Sequence, residues 1–168
     1  KAMGMGFAFT AQADDPSAIY FNPAGLTQLK GNNLKLGVTY VKENGGTFSG
    51  TTPLSGGAQI SETQKDLNFY IPNFFYANSN PVSGIAWGVG VYAPFGLGQE
   101  YQNRNTSFFR NQITKIDLQT IVVNPTIAFK VNEFLSVGAG IDFLYGKAEL
   151  QKTGVVFLGP PVNNLNLF

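Results

Sequence analysis

Few residues of this sequence could carry out chemistry. The chain contains neither histidine nor cysteine, so thiolate nucleophiles, His-based acid–base catalysis, disulfides and the usual zinc ligands are excluded within these residues. Asp142 lies on the small-residue face of a predicted strand, where we expect a solvated or paired charge rather than a site. The sequence therefore predicts no catalytic residue, no metal site and no cofactor.

Two acid-or-amide–proline pairs, Asp15-Pro16 and Asn22-Pro23, stand seven residues apart near the start. Asp and Asn are good helix N-caps, and proline is favoured at the first helical position. Proline also disfavours helical geometry in the residue before it, so a first helix must end near Phe21. The spacing predicts a second helix from Pro23 to near Gly31, joined to the first by a bend.

The composition favours a membrane protein built from strands. Charged residues make up 12% of the chain, about half of the roughly 25% of soluble domains, while aromatic residues reach 14%. Lipid-facing and lumen-facing residues alternate in a transmembrane β-barrel, which explains a mean hydropathy of zero. No apolar run of about 18 residues predicts a membrane helix. A net charge of +1 does not indicate the strongly basic surface that nucleic-acid binding proteins carry.

From residue 33 the hydrophobic pattern has a period of two, which predicts strands. We expect strands at 33–41, 67–77, 84–92, 113–129 and from 135 to beyond 145. Long loops are predicted at 43–66, at about 96–112 and in the tail around Gly159-Pro160-Pro161, and short turns at 78–83 and 131–133. Outer-membrane barrels alternate long and short connections in this way.

Two irregularities interrupt the pattern. Proline and glycine in Ala93-Pro94-Phe95-Gly96 cannot continue a regular ladder, so the third strand either kinks there or enters a loop. The fourth strand changes phase, from apolar even positions (Ile116, Leu118) to apolar odd positions from Ile121 onward. This slip needs a bulge near Thr120 or two segments in different environments.

The predicted strand count has a consequence for closure. Five strands cannot close a barrel, for which about eight are needed, and a lipid-exposed open edge is not tolerated. We therefore expect the sequence to belong to a longer chain, with any export signal removed or outside it, because Lys1-Ala2-Met3-Gly4 lacks an apolar signal core. A soluble β-sandwich would carry Lys, Glu and Thr on the outward face, where this sequence has Gly and Ala.

An ordered set of motifs resembles the FadL/TodX family of outer-membrane transporters for long-chain fatty acids and other hydrophobic compounds. The motifs are DDPSAIYFNPAGLTQLKGNNLKLGVTYV, FYIPNFFYA and WGVGVYAPFGLGQEY. The likeness runs to about residue 152. It implies an all-β fold, a transmembrane antiparallel barrel of the Gram-negative outer membrane. Residues 1–32 would be an N-terminal plug of short helices, and residues 33–168 the first five or so of about fourteen strands.

The resemblance also implies a transport route. Extracellular loops capture a long-chain fatty acid or hydrophobic small molecule, which enters a pocket inside a monomeric barrel and leaves sideways into outer-membrane lipid at a kink in the third strand. The implied site residues are a hatch motif (Asn22, Pro23 and Ala24) lying against the kink (Ala93, Pro94, Phe95 and Gly96), and a capture loop (Phe108 and Phe109). The two phenylalanines also fit a small core of the loop itself.

Two other functional classes stay open at this point. A barrel of this kind could act as a structural or secretion-complex partner without transport, and an unbroken third strand would favour that interpretation. An outer-membrane enzyme would need its Ser-His or His-Asp site wholly in other sequence, since these residues contain no histidine.

Overall fold

The computed structural model describes residues 1–51, 53–154 and 162–167. The α-helix α1 spans Ala18–Phe21, and three short 3-10 helices span Met3–Met5, Pro23–Gln28 and Pro53–Ser55. The strands are β1 (Gly31–Glu43), β2 (Thr47–Thr51), β3 (Gln59–Thr63), β4 (Leu67–Asn80), β5 (Ile85–Tyr92), β6 (Gly96–Glu100), β7 (Lys115–Lys130), β8 (Ser136–Gly140), β9 (Phe143–Gly154) and β10 (Val162–Leu167). The loop predicted at 159–161 lies outside the described residues.

All five predicted strands are confirmed, as β1, β4, β5, β7 and the pair β8–β9. The main sheet has the order β1-β4-β5-β7-β9-β10, and both β6 and β8 pair with β7. Within the described residues, every helix is too short or too polar to span a membrane. Two compact units share these strands: the first contains Lys1–Thr39, Ile71–Pro94 and Ile121–Tyr145, and the second Tyr40–Tyr70, Phe95–Thr120 and the described residues from Gly146 onward.

The sheet of the first unit has an apolar face that nothing in the unit covers. Along β7, Val122, Asn124 and Ala128 are buried on the face that carries the helices, which we call the plug face. Ile127 and Phe129 point the opposite way and are 45% and 43% exposed. This arrangement, with polar residues inside and a continuous apolar band outside, is typical of a lipid-facing strand.

The two predicted N-terminal helices are confirmed, with Pro23 at the first position of the second one. The predicted capping by Asn22 is wrong, because its side chain makes no cap hydrogen bond. The Gly25 N–H instead donates to the Asn22 carbonyl at 2.9 Å, so the side chain is free to donate to the Thr10 carbonyl at 3.0 Å. Asp15 accepts from the Ser17 N–H at 2.8 Å, just before α1 begins.

Glycines let the two helices approach the sheet closely. The side chain of Ile19 lies 2.9 Å and 3.0 Å from the positions where Cβ atoms on Gly88 and Gly90 would stand. A Cβ on Gly138 of β8 would stand 2.6 Å from the Ala24 nitrogen and 2.7 Å from the Pro23 carbonyl carbon. The small residues of the plug face therefore form the surface on which residues 1–30, which we call the plug, are packed.

Two regions predicted as loops contain strands. In the 43–66 segment, β2 and β3 form an antiparallel hairpin from Thr47↔Thr63 to Thr51↔Gln59. Its polar residues lie on both faces, so no hydrophobic alternation marks it in the sequence. The predicted loop at 96–112 begins with β6, whose residues pair with β7 despite the glycines. The loop itself runs only from Tyr101 to Thr114.

Candidate functional site

The third predicted strand is interrupted by one extra residue. In the first unit Tyr92 pairs with Val122, and in the second Gly96 pairs with Gln119. Three residues (93–95) therefore stand between the two pairs on one strand, whereas two residues (120–121) stand between them on β7. The count of three against two places an extra residue on the strand opposite β7, as in a β-bulge. β7 itself keeps one alternation through Thr120, so the bulge predicted in this strand is not found there, and its apolar residues change faces between Leu118 and Ile121.

The hydroxyl of Thr120 replaces the missing ladder bonds at this bulge. Thr120 is buried, its hydroxyl donates to the Phe95 carbonyl, and the Phe95 N–H approaches the same hydroxyl at 3.4 Å. Backbone groups at membrane depth need such partners because lipid offers none. The side chain of Thr120 thus stabilises a backbone segment that regular pairing leaves unpaired.

Pairing also stops on the other side of β5. The β4–β5 ladder ends at Phe74↔Val91, close to Pro72, which has no N–H to donate. In the part of the chain that the structure describes, β6 pairs with β7 and has no ladder with β4. The amide of Asn73 lies over Gly37 of β1, 2.9 Å from the position that a Cβ there would take. We call the main sheet the wall. Among the described residues, the wall therefore lacks ladder hydrogen bonds between β4 and residues 93–94.

A cavity of about 400 Å³ lies between the plug and the plug face of the sheet. We call it the plug cavity. Tyr92 stacks on Phe75 at 5.7 Å between ring centroids and meets the edge of Tyr20 at 5.0 Å. Ala93 and Pro94 line the cavity where regular pairing stops, and Lys35 and Asn73 supply polar atoms. The cavity thus has aromatic walls and one polar region. At one side it is bounded by residues 93–94, where the regular pairing of the strands is interrupted.

A polar cluster lies on the plug face beside Tyr92. The Tyr92 hydroxyl donates to the Asp142 carboxylate at 2.9 Å, and the Asn124 amide donates to the same oxygen at 2.6 Å. The Thr126 hydroxyl donates to the Asn124 amide oxygen at 2.5 Å. Asp142, expected to be a solvated or paired charge, is bound by neutral donors in the short gap between β8 and β9.

One ion pair joins the plug to β1, and a second lies within the plug. Lys35 of β1 contacts the Asp15 carboxylate at 2.7 Å and donates to the Ser17 hydroxyl at 3.1 Å. Burial raises the pKa of Asp15, but the hydrogen bonds from Lys35 and Ser17 together lower it below its ordinary value of 3.8. Lys1 pairs with Asp14 at 2.5 Å, and the hydrogen bond from Lys1 lowers the pKa of that carboxyl.

A second cavity of about 410 Å³ opens on the uncovered apolar face of the first unit. We call it the outer groove. Leu36 and Val38 of β1 and Phe74 of β4 line it, together with Pro72 and Val91. Asn73 lines both the outer groove and the plug cavity. The two cavities therefore meet the same side chain at the place where the β4–β5 ladder ends.

The two predicted capture-loop residues belong to an aromatic cluster of the second unit. Phe109 contacts Phe48 at 5.8 Å, Tyr101 at 5.9 Å and Phe108 at 5.8 Å between ring centroids. The Glu62 carboxylate accepts a hydrogen bond from the Phe108 N–H. Both phenylalanines are half-buried, so the cluster forms a small loop core with aromatic surface still exposed.

The predicted hatch motif is anchored on β8. Pro23 and Ala24 pack against Gly138, and the hydroxyl of Thr27, one turn later, donates to the Ser136 hydroxyl at 2.9 Å. Asn22 is held by the Thr10 carbonyl. The predicted contact between this motif and residues 93–96 stays a prediction.

Sequence reasoning missed the role of Lys35 and assigned Asp15 to helix capping alone. The signal was present, since Lys35 is a charged residue between Leu34 and Leu36 on the otherwise small-residue face of β1. Among the described residues no group of three or more potential metal ligands occurs.

A family model, several known proteins and a solved structure match this chain. The family model described as "Outer membrane protein transport protein (OMPP1/FadL/TodX)" matches residues 1–167. The long-chain fatty acid transport protein of Escherichia coli strain CFT073 is 28% identical over 90% of this chain and 34% of its own length. Outer membrane protein P1 of Haemophilus influenzae is 28% identical over 89% of this chain and 35% of its own length.

A solved structure shows the same fold. The crystal structure of a Pseudomonas aeruginosa FadL homologue superimposes with a TM-score of 0.63 and 21% identity, covering 83% of this chain and 34% of that one. The present chain thus spans about a third of the length of the proteins that it matches.

Proposed function

Because the chain belongs to the outer membrane transport family OMPP1/FadL/TodX, we propose that its protein takes up long-chain fatty acids or other hydrophobic molecules across the outer membrane. Its relatives include long-chain fatty acid transport proteins. Passive diffusion along an apolar route needs no catalytic group. The uncovered apolar face of the first unit is the surface that membrane lipid would contact.

The bulge at residues 93–95 is the observation that carries the proposed exit route. A substrate in the plug cavity contacts Ala93 and Pro94 at the point where the wall has no β4–β5 ladder. Asn73 separates this cavity from the outer groove, whose apolar lining suits an acyl chain. Substrate moves from the cavity past Asn73 into the groove and then into lipid, without crossing an intact row of backbone hydrogen bonds.

Capture is assigned to the aromatic cluster around Phe108 and Phe109. Half-buried rings offer apolar area to a hydrophobic molecule, and the hairpin residue Phe48 fixes one side of the cluster. The plug, anchored through Asn22, Pro23 and Ala24, prevents a straight aqueous channel while the side route stays available.

The alternative, a structural or secretion-complex partner without transport, predicts a third strand that pairs without a break. The offset between Tyr92↔Val122 and Gly96↔Gln119 favours transport over that alternative. A proline at this position also prevents a regular ladder, which a purely structural wall would not need to interrupt.

Deletion of Pro94 tests the exit route. It leaves two residues opposite two, so β5 and β6 can form one regular strand on β7. We expect the full-length protein with this deletion to reach the outer membrane folded and to lose uptake of radiolabelled palmitate by at least about tenfold. Deletion of Val82, a 97% exposed residue in the 81–84 turn, is the control and should leave uptake within about twofold. Undiminished uptake by the folded Pro94 deletion would contradict the proposal.

A further inference from the structure

The outer face of β7, opposite the plug face, changes from apolar to polar at one point. The side chains on this face are apolar from Ile121 to Phe129, whereas Gln119, Asp117 and Lys115 continue the same alternation. Residues 121–129 match the roughly 9–11 residues with which a tilted strand crosses a bilayer. Long connections of an outer-membrane barrel lie outside the cell, and the long loop before β7 marks this end. The outer border of the hydrocarbon therefore lies between Gln119 and Ile121.

Two lysines flank a carboxylate just beyond this border. Lys115 donates to Glu149 at 2.8 Å, so Glu149 lies on the outer face of β9. Alternation along β9 places Lys147 on the same face, between Glu149 and Tyr145. The hydrogen bond from Lys115 lowers the pKa of Glu149, and the charge of Lys147 lowers it further. Both ammonium groups therefore lie close to one carboxylate in the second unit.

Further contacts hold this group of side chains in place. Gln151 donates to Glu149 at 2.6 Å and accepts a hydrogen bond from Arg104. The Nε atom of Arg104 lies 3.3 Å from the Glu100 carboxylate, which also accepts from Lys65 at 2.6 Å. Side chains of β6, of β9 and of the loop before β7 thus form one connected network on this face.

The ammonium group of Lys147 is left available to a partner from outside the chain. Lys147 is exposed, and within the described part of the chain it makes no hydrogen bond and no ion pair. The Asp117 carboxylate of β7 accepts from Gln119 at 3.1 Å. An ammonium group with unused N–H donors at the border of the hydrocarbon suits an anion that belongs to the membrane.

The outer leaflet of the outer membrane supplies such an anion. It consists of a glycolipid whose phosphate groups lie at the border between its acyl chains and its sugars. Lysine binds phosphate as a point charge, and basic residues beside a membrane surface are attracted to anionic lipids. Tyr145, which is 68% exposed, is the next outer-face residue on the apolar side of Lys147, where aromatic side chains meet the membrane interface.

We propose that Lys147 and Lys115 bind a phosphate group of the outer-leaflet glycolipid, and that Tyr145 contacts its acyl chains. Glu149 competes with the phosphate for both lysines. The inference rests on the outer-membrane location of the family and not on the proposed transport. It gives the outer face a specific lipid ligand, beyond general contact with hydrocarbon.

The Kd of diphosphoryl lipid A for the full-length protein, measured by native mass spectrometry in detergent, tests the proposal. The double variant Lys115→Met/Lys147→Met should raise this Kd at least about tenfold, because each lysine at an anionic surface contributes roughly a fivefold change. Lys147→Met alone should raise it about fivefold and leaves the ion pairs of the network intact. Lys130→Met, the matched control, removes the same charge at the opposite border and should leave the Kd within about twofold.

Glu149→Gln is an independent test that keeps both lysines. Removing the competing carboxylate should lower the Kd several-fold, whereas a purely structural role of the Lys115–Glu149 pair predicts no such gain. An unchanged Kd in Lys147→Met, or an unchanged or raised Kd in Glu149→Gln, would overturn the proposal. So would binding of phosphatidylglycerol with the same Kd and the same dependence on Lys147, because that lipid carries a phosphate but is not the glycolipid.

Discussion

Strand β7 pairs in two different ways along its length. Residues 122–129 pair one-to-one with β5, whereas residues 115–119 pair with β6 after a one-residue offset. The first stretch forms part of the plug face, on which small residues such as Ala128 are fully buried. The second begins at the bulge, where Thr120 holds the Phe95 backbone. The one-to-one stretch carries the plug, and the offset stretch contains the proposed exit. We assign the two roles to different stretches of one strand.

The backbone finds its hydrogen-bond partners differently in the two stretches of β7. Where β5 and β7 pair one-to-one, the ladder holds the backbone, so glycines can replace larger residues at the contact with the plug. At the bulge a single side-chain hydroxyl replaces ladder bonds. In the proposed route, a wall with regular pairing throughout would hold a plug but would leave substrate no exit between the strands.

The largest expected effect comes from filling the contact between the plug and the wall. Gly138→Ala places a methyl group 2.6 Å from the Ala24 nitrogen, which is backbone and cannot rotate away. We expect the docking of the plug to lose about 1–3 kcal/mol, the usual cost of overpacking. Hydrogen exchange of residues 18–28 should become faster, and a polar antibiotic should cross the outer membrane more readily.

Gly4→Ala is the matched control for this change, because nothing lies within 4 Å of the added Cβ. Unchanged exchange in Gly138→Ala would contradict the claim that close contact with β8 holds the plug in place.

A smaller effect is expected at the bulge. Thr120→Val keeps the shape of the side chain but removes the hydroxyl that binds the Phe95 backbone. Leaving buried polar groups without a partner costs about 1–3 kcal/mol, partly recovered here if the local backbone shifts. We expect a lower unfolding temperature and changed palmitate uptake, with plug exchange unaffected. Thr126→Val, in the regular stretch, should leave uptake unchanged; equal effects of both substitutions would remove the contrast between the two stretches.

The smallest effect is a pH dependence of plug docking. The pKa of Asp15 is lowered in the folded state, so its pairing with Lys35 adds stability above pH 3.8 and loses it as the pH falls through the folded-state pKa. Because the pair is partly exposed, we expect less than about 1 kcal/mol. The protection of residues 18–21 against hydrogen exchange, measured relative to the intrinsic exchange rate at each pH, should fall below about pH 3.8 in the unmodified protein and be less pH-dependent in Asp15→Asn. A pH response that persists in full in that variant would contradict this assignment.

The sequence allowed the five wall strands to be predicted, because lipid imposes alternation on residues such as Leu34, Leu36 and Val38. It could not reveal the hairpin β2–β3, whose Thr and Ser residues give no apolar period. The phase change in β7 marks apolar residues that change faces, because the strand keeps one alternation through Thr120. Locating the extra residue on the opposite strand was beyond the hydrophobic pattern of β7. That required the pairing of Tyr92 and Gly96.

The contacts that define the site were beyond sequence reasoning for a different reason. Lys35 and Asp15 are twenty residues apart, and they meet only because the plug packs on the sheet. Phe48 and Phe109 likewise meet only through the fold of the second unit. Helix capping offered a local interpretation of Asp15, so the unusual charge of Lys35 on the small-residue face of β1 was not matched to it.

The most direct measurement of the exit route is photocrosslinking during uptake. A photoreactive side chain would replace either Phe74, in the outer groove, or Ile127, on the outer face of the regular ladder. We predict that radiolabelled palmitate crosslinks at position 74 within the first turnovers, that position 127 stays at background, and that deletion of Pro94 abolishes the labelling at 74. Equal labelling at both positions, or labelling at 74 that survives the deletion, would contradict the claim that substrate leaves through the interrupted stretch of the wall.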